Sequence, residues 1–262
     1  MFAEANGIRI HYELSGKKGG PVVILSHSLG SNMAMWEPQL PALEPHFQIL
    51  RYDVRGHGAS DAPEGPYTLE ILAQDAVGLL DLLKMEKAHF VGLSMGGMIG
   101  QHLALSHPHR LRSLVLCDTA ALVPQEAQPL WRERIATARE RGMEALVDST
   151  LERWFTPSFL KGNSPMLATI RKAFLATPVE GYVSASEAIR RLNTLDRLSE
   201  IKVPTLIMVG EDDPGTPVAA SEAMDSRIQN SKLIVLPGCR HLSNVEQAAL
   251  FNQHLLSFLM AH

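Results

Sequence analysis

Gly92-Leu93-Ser94-Met95-Gly96 decides how this chain is read. The pentapeptide follows the short apolar run Ala88-His89-Phe90-Val91 and precedes a stretch of helical character, so Ser94 stands at a sharp turn from a buried strand into a helix. A serine at such a turn is held in strained backbone geometry, and glycines two residues to either side let strand and helix close around it without an obstructing Cβ. The turn lifts the Ser94 hydroxyl clear of the sheet as a candidate nucleophile. A glycine-rich loop whose serine merely caps the next helix gives the same five letters, and the flanking strand and helix are what favour the first reading.

A serine hydroxyl is a weak nucleophile until an imidazole takes its proton and a carboxylate fixes that imidazole's tautomer. Pro204 introduces the apolar strand Thr205-Leu206-Ile207-Met208-Val209-Gly210, directly followed by the acidic loop Glu211-Asp212-Asp213-Pro214. Next comes the last strand, Lys232-Leu233-Ile234-Val235-Leu236, and then Pro237-Gly238-Cys239-Arg240-His241 with a helix expected from about Glu246. Of the eleven histidines, His241 alone lies just past a C-terminal strand, and the order Ser, Asp, His is that of the α/β-hydrolases. Asp212 and Asp213 are adjacent and diverge, so one of them faces the imidazole. Asp213 is favoured because Pro214 fixes the chain after it, while Asp212 and Asp118, at the end of Leu114-Val115-Leu116-Cys117, stay open as rivals.

Acyl transfer also needs N–H donors for the oxygen that becomes negative. One is the Met95 N–H, directly after the nucleophile. The other is the Leu29 N–H, in the loop His27-Ser28-Leu29-Gly30 after the run Val22-Val23-Ile24-Leu25. His27 and His57 are read as residues that brace their loops.

With 262 residues, 45% of them hydrophobic, the chain can bury a large core. A net charge of −4 gives no electrostatic footprint for nucleic acid, and two cysteines, Cys117 and Cys239, are too few for a disulfide framework. The first seven residues lack the basic and apolar regions of a signal peptide, and no apolar run reaches membrane-spanning length, so cytoplasm is the expected compartment. Ile8-Arg9-Ile10-His11-Tyr12-Glu13-Leu14 alternates as an edge strand, whereas the later strands are unbroken apolar runs typical of parallel sheet covered on both faces. Thr68 is read as the N-cap of a helix with an apolar stripe from Leu69 to Leu83. Residues 125–192 change character: helical periodicity without strand runs, punctuated at Gly142, Pro157, Gly162, Pro165 and Pro178. They read as a helical cap inserted between two parts of a core domain, 1–124 and 193–262. The cap holds ten Lys and Arg against eight Asp and Glu, while the remainder holds fourteen against twenty, so the more positive part stands where an anionic substrate would enter. Most of Arg132, Arg134, Arg139 and Arg141 are expected to pair with Glu133, Glu140 and Glu144 on a solvated face.

Three core segments resemble the 3-oxoadipate enol-lactonases of the α/β-hydrolase superfamily: His27-Ser28-Leu29-Gly30 with Met35-Trp36, Arg55-Gly56-His57-Gly58-Ala59-Ser60-Asp61-Ala62-Pro63, and Gly92 to Met98. More specific are the cap stretches Glu152-Arg153-Trp154-Phe155-Thr156-Pro157 and Ala176-Thr177-Pro178-Val179-Glu180-Gly181-Tyr182, and the late His241-Leu242-Ser243-Asn244-Val245-Glu246-Gln247. The sequence departs from the family at Asp118 and at Cys239-Arg240. The resemblance implies an α/β-hydrolase fold, a mostly parallel eight-stranded sheet flanked by helices, and opening of a small anionic lactone in aromatic-compound degradation. An enolate leaves readily, so this chemistry asks for no metal or organic cofactor. The free carboxylate of such a substrate must be paired when buried, and Arg134 is the candidate partner, with Arg153, Arg190 and Arg191 as alternatives. Ser28 joins it as a substrate contact, and Trp36, Trp131 and Trp154 are candidate apolar walls. Another cap-bearing ester or carbon–carbon bond hydrolase would keep every triad residue, and a ligand sensor on the same fold is the rival of a different class.

Overall fold

The unbroken apolar runs of the sequence form the parallel part of one eight-stranded sheet, the last of them, residues 231–236, at its far edge and only partly buried. In the computed structural model, which describes residues 1–262, the strands are β1 (Phe2–Ala5), β2 (Ile8–Gly16), β3 (Val22–Ser26), β4 (Gln48–Tyr52), β5 (Ala88–Leu93), β6 (Leu111–Cys117), β7 (Thr205–Gly210) and β8 (Ser231–Leu236). Their order is β1-β2-β4-β3-β5-β6-β7-β8; the first two are antiparallel to their neighbours and the other six run parallel. Every residue of β5 and β7 is buried, as strands covered by helices on both faces require.

The edge strand is not the one expected. β1 forms the edge and β2 lies inside it, because Asn6 and Gly7 both adopt positive φ (49° and 77°) and fold residues 1–7 back as a hairpin. Asn-Gly is the preferred pair for such a two-residue turn, whose twist matches that of the strands it joins.

The Leu69–Leu82 helix starts where Thr68 accepts the Ile71 N–H, and Leu69, Leu72, Ala73, Ala76, Leu79 and Leu80 turn inward. It packs against the Met95–Ser106 helix that follows the Ser94 turn. Five helices, Gln128–Arg141, Glu144–Trp154, Pro157–Lys161, Pro165–Ala176 and Val179–Ile189, stand between β6 and β7. Pro157 and Pro165 sit at helix starts, where a missing N–H costs nothing, and Gly142 ends the first helix at φ 74°. The two ends of this helical segment are drawn together: Leu122 bridges Asn193, and the Thr194 N–H donates to Ala121 at 2.8 Å. Ile135, Leu151 and Phe174 from the segment belong to the same apolar cluster as the sheet, so the helices rest on the core instead of standing apart from it. No helix is long and apolar enough to cross a membrane.

Candidate active site

Ser94 occupies φ 55°, ψ −113°, a conformation that costs a non-glycine residue about 1–3 kcal/mol. Its surroundings hold it there: its N–H donates to Cys117 (2.9 Å), and its carbonyl accepts the Met98 N–H (3.1 Å) and the Thr119 hydroxyl (2.8 Å). A Cβ on Gly96 would overlap the Ser26 carbonyl of β3, and one on Gly92 would overlap the Gly96 carbonyl, so a side chain at either glycine would push the helix off the sheet.

Asp213 and His241 come together from the loops after β7 and β8. The His241 Nδ1–H donates to Asp213 Oδ2 at 2.7 Å, while Asp213 Oδ1 accepts the Gly215 and Thr216 N–H groups (2.8 and 3.1 Å) and Oδ2 also accepts the Thr216 hydroxyl (2.6 Å). With Nδ1 carrying the proton, Nε2 is left as an acceptor, and it opens on the cleft that Ser94 lines. Burial pushes Asp213 up, but the His241 charge and the hydrogen bonds from His241 and Thr216 outweigh it, and the carboxyl lies below its ordinary value. For His241 burial works downward, and the charge and hydrogen bond of Asp213 reverse it, leaving the imidazole above its ordinary value.

Of the rival carboxylates, Asp212 is exposed and makes no contact with the imidazole. Asp118 is wholly buried, but its two oxygens serve the Gly210 N–H (2.8 Å) and the Ser243 hydroxyl (2.5 Å) instead of His241.

The Leu29 and Met95 N–H groups have no hydrogen-bond partner within the chain. Met95 opens a helix, where the first amides lack intrahelical acceptors and the dipole favours negative charge. The Leu29 loop is fixed by His27, whose Nε2 accepts the Val54 N–H (2.8 Å) and whose Nδ1–H must then donate to the Ser28 carbonyl (2.7 Å). Burial keeps that imidazole neutral. His57 is likewise a loop residue, bonded to the Arg55 carbonyl at 3.1 Å.

Ser94 and His241 line one cleft together with Ser28 and Leu29. The helical segment supplies its roof through Trp131, Arg134, Arg153, Trp154, Phe174 and Tyr182. Trp154 meets Phe174 edge-on at 5.8 Å, and the Arg134 guanidinium lies 5.4 Å over the Trp131 ring. Trp36 is not a wall of this cleft. It is fully buried in the turn Met33–Gln39, its ring centre 6.3 Å from that of Phe251.

Nor do the charge pairs expected along the first cap helix form: Arg132, Arg139 and Arg141 are exposed without ionic partners. Glu140 and Glu144 are four apart but alike in charge, and Gly142 ends the helix between Arg141 and Glu144. Arg190 and Arg191 both engage Glu187 (2.6 and 3.6 Å), which takes them out of consideration for the cleft. Arg134 and Arg153 differ. Arg153 donates only to the Ser149 carbonyl and the Thr150 hydroxyl (3.0 Å each), and neither arginine meets a carboxylate. Burial lowers Arg134, and burial with the neighbouring Arg134 charge brings Arg153 down to about 10, so both remain cationic near neutrality. Phe174 escapes the sequence reading because helical periodicity marks an apolar face without saying that the face looks onto Ser94, and Tyr182 enters it only as part of the stretch 176–182; Arg153, named there as an alternative partner for a carboxylate, does line the cleft. No group of three or more His, Cys, Asp or Glu side chains is placed to hold a metal.

The strained serine at a strand-to-helix turn, the Asp-His pair on the loops after β7 and β8 and the free N–H donors define a hydrolase-type site. The model of the alpha/beta hydrolase fold family matches residues 21–248, and the chain belongs to that family. It is 36% identical to 3-oxoadipate enol-lactonase 2 of Acinetobacter baylyi, over 95% of this chain and 92% of that one. The crystal structure of the enol-lactonase from Burkholderia xenovorans LB400 superposes with a TM-score of 0.96 at 40% identity, covering 99% of this chain and 100% of that one. The candidate carbamate hydrolase RutD of Variovorax paradoxus is 32% identical over 95% of this chain and 96% of its own length. These relatives support hydrolysis as the class of chemistry.

Proposed function

We propose that the protein is a serine hydrolase that opens the lactone ring of 3-oxoadipate enol-lactone to give 3-oxoadipate, as a step in aromatic-compound degradation. Ser94 Oγ attacks the lactone carbonyl while His241 Nε2 takes its proton, and Asp213 stabilises the imidazolium. The carbonyl oxygen, now negative, is held by the Leu29 and Met95 N–H groups. Collapse breaks the ring C–O bond, and the enolate that leaves takes the proton from His241 Nε2 and tautomerises to the ketone. A water deprotonated by His241 then attacks the acyl-enzyme, releasing the product acid and restoring the Ser94 hydroxyl.

The observation that carries this reading beyond generic ester hydrolysis is the pair of guanidiniums, Arg134 and Arg153, that face the cleft without a carboxylate of their own. A half-buried cation without a counter-charge favours a ligand that brings one. Arg134 pairs with the free carboxylate of the lactone, and Trp131, Trp154 and Ser28 line the space beside it. Spectrophotometric turnover of the enol-lactone by purified protein, compared with a neutral ester of similar size, tests the reading; equal kcat/KM for the two counts against it. The RutD relatives favour a second reading, cleavage of a carbamate by the same triad, and a carbamate substrate assayed in parallel separates the two.

A further inference from the structure

Asp118 is a buried carboxyl that the reaction above does not use. It ends β6 in the left-handed region (φ 44°), where its N–H donates to Met208 of β7 at 2.8 Å. Asp118 Oδ1 accepts the Gly210 N–H at 2.8 Å, and Oδ2 accepts the Ser243 hydroxyl at 2.5 Å. Gly210 is the last residue of β7, three before Asp213, and Ser243 lies two after His241. One side chain thus reaches the roots of both loops that meet in the 2.7 Å Asp213–His241 hydrogen bond.

We propose that Asp118 is a positioning residue, a clamp that fixes the acid-bearing loop after β7 against the base-bearing loop after β8. The proposal rests on reading Asp213 and His241 as acid and base. Burial, reinforced by the Asp213 charge, pushes Asp118 up to about 8, so the carboxyl is mostly protonated near neutrality and its O–H then donates to Ser243 Oγ. In either state both loops are held, and the clamp needs the two contacts but not the charge. A left-handed residue at a strand end suits this task, since Asp tolerates that conformation better than branched residues do and its short side chain turns back toward the neighbouring strands.

Three variants separate the clamp from the alternatives. Asp118→Asn keeps both contacts, its amide oxygen accepting the Gly210 N–H and its NH2 donating to Ser243 Oγ. Asp118→Ala deletes both, and Ser243→Ala deletes only the arm to the base loop without touching β6. With 4-nitrophenyl acetate as a substrate that needs only the triad, Asp118→Asn is expected within about threefold of the parent kcat. Asp118→Ala is expected to lose about 100-fold in kcat with KM nearly unchanged, since a displacement of about 1 Å costs that much. Ser243→Ala falls between the two, and it decides the matter should Asp118→Ala fail to fold. The downfield proton resonance of the His241 Nδ1–H is expected in the parent and in Asp118→Asn, and to be lost or broadened in Asp118→Ala. Parent-like kcat in both alanine variants overturns the clamp, and so does an asparagine variant as poor as the alanine one, which would make the charge essential. Failure of the triad itself shows elsewhere, as undiminished turnover by Ser94→Ala or Asp213→Asn.

Discussion

Asp213→Asn is a nearly isosteric change whose effect follows from the hydrogen bonds around it. One oxygen of Asp213 accepts two backbone N–H groups, from Gly215 and Thr216, and the other accepts the His241 Nδ1–H and the Thr216 hydroxyl. An asparagine must aim its oxygen at the two N–H groups, because an NH2 there would meet two donors. Its NH2 therefore faces His241 Nδ1. The imidazole can satisfy that contact only by moving its proton to Nε2, and Nε2–H cannot accept the proton of Ser94. In a serine triad this tautomer error lowers kcat on the order of 10⁴-fold, about 5.4 kcal/mol at 1.36 kcal/mol per decade. Thr216 can still donate its hydroxyl elsewhere and the volume is unchanged, so the fold is expected to survive. Stopped-flow or steady-state hydrolysis of 4-nitrophenyl acetate measures kcat, and thermal unfolding checks the fold. A folded Asp213→Asn enzyme within tenfold of the parent would refute the assignment of Asp213 as the triad acid and the tautomer argument with it.

Ser94→Ala removes a hydroxyl that makes no hydrogen bond within the chain, so kcat is expected to fall on the order of 10⁶-fold while the unfolding midpoint moves little; near-parent turnover excludes Ser94 as nucleophile. Because Asp213 holds the proton on His241, the acid limb of the kcat/KM profile for a neutral ester is expected above the ordinary imidazole value of 6.5. The Arg153 charge opposes that shift, so Arg153→Ala moves the limb to higher pH, and a shift the other way contradicts the placement of Arg153 beside the base. Arg134→Ala is expected to raise KM for the anionic lactone by roughly 10- to 100-fold more than for a neutral ester, the range of a charge-assisted hydrogen bond worth about 1.5–3 kcal/mol. If Arg134→Ala and Arg153→Ala both leave that ratio unchanged, the substrate carries no carboxylate into the cap.

The parts of the site that were legible are those fixed by local chain order. Ser94, Asp213 and His241 each follow a strand whose apolar run is unmistakable, and a parallel sheet brings the ends of such strands to one edge whatever the details of packing. Between Asp212 and Asp213 the sequence offered only the neighbouring proline; burial of one and exposure of the other is a tertiary fact. The N-terminal hairpin was there to be read in Asn6-Gly7, but the alternation of β2 alone does not say that another strand lies outside it. Trp36 shows a different limit. An aromatic residue near the oxyanion loop suits a pocket wall as well as a core plug, and only the packing of Phe251 against it decides. The charge pairs assumed for residues 132–144 failed because most opposite charges there are one residue apart and point to different faces of a helix, while Arg141 and Glu144, three apart, are separated by the helix end at Gly142. Arg153 is the reverse case, one of several cap arginines between which the sequence does not choose, and the structure alone sets it in the same cleft as His241 while Arg190 and Arg191 pair with Glu187.

Two of the three stretches that most specifically resemble the enol-lactonases, 152–157 and 241–247, are distant in sequence and touch in the structure. The Leu242 N–H donates to the Trp154 carbonyl at 3.1 Å, and the Arg240 guanidinium donates to the Glu152 carbonyl. Glu246 accepts the Arg240 N–H and the Thr156 N–H, each at 3.0 Å, together with the Thr156 hydroxyl. The loop that carries the base and the helix end that carries Arg153 and Trp154 are therefore one hydrogen-bonded unit. A shift of that helix to suit a different ligand would carry His241 with it, and the 2.7 Å contact to Asp213 would have to be rebuilt. Arg153 and Trp154 are thus not free to vary independently of the triad, as they would be in a lid joined to the core only by its two hinges. Substitutions that retune the cleft without disturbing catalysis should fall on Trp131, Arg134, Phe174 and Tyr182, whose helices make no hydrogen bond to the base loop, and not on 152–156.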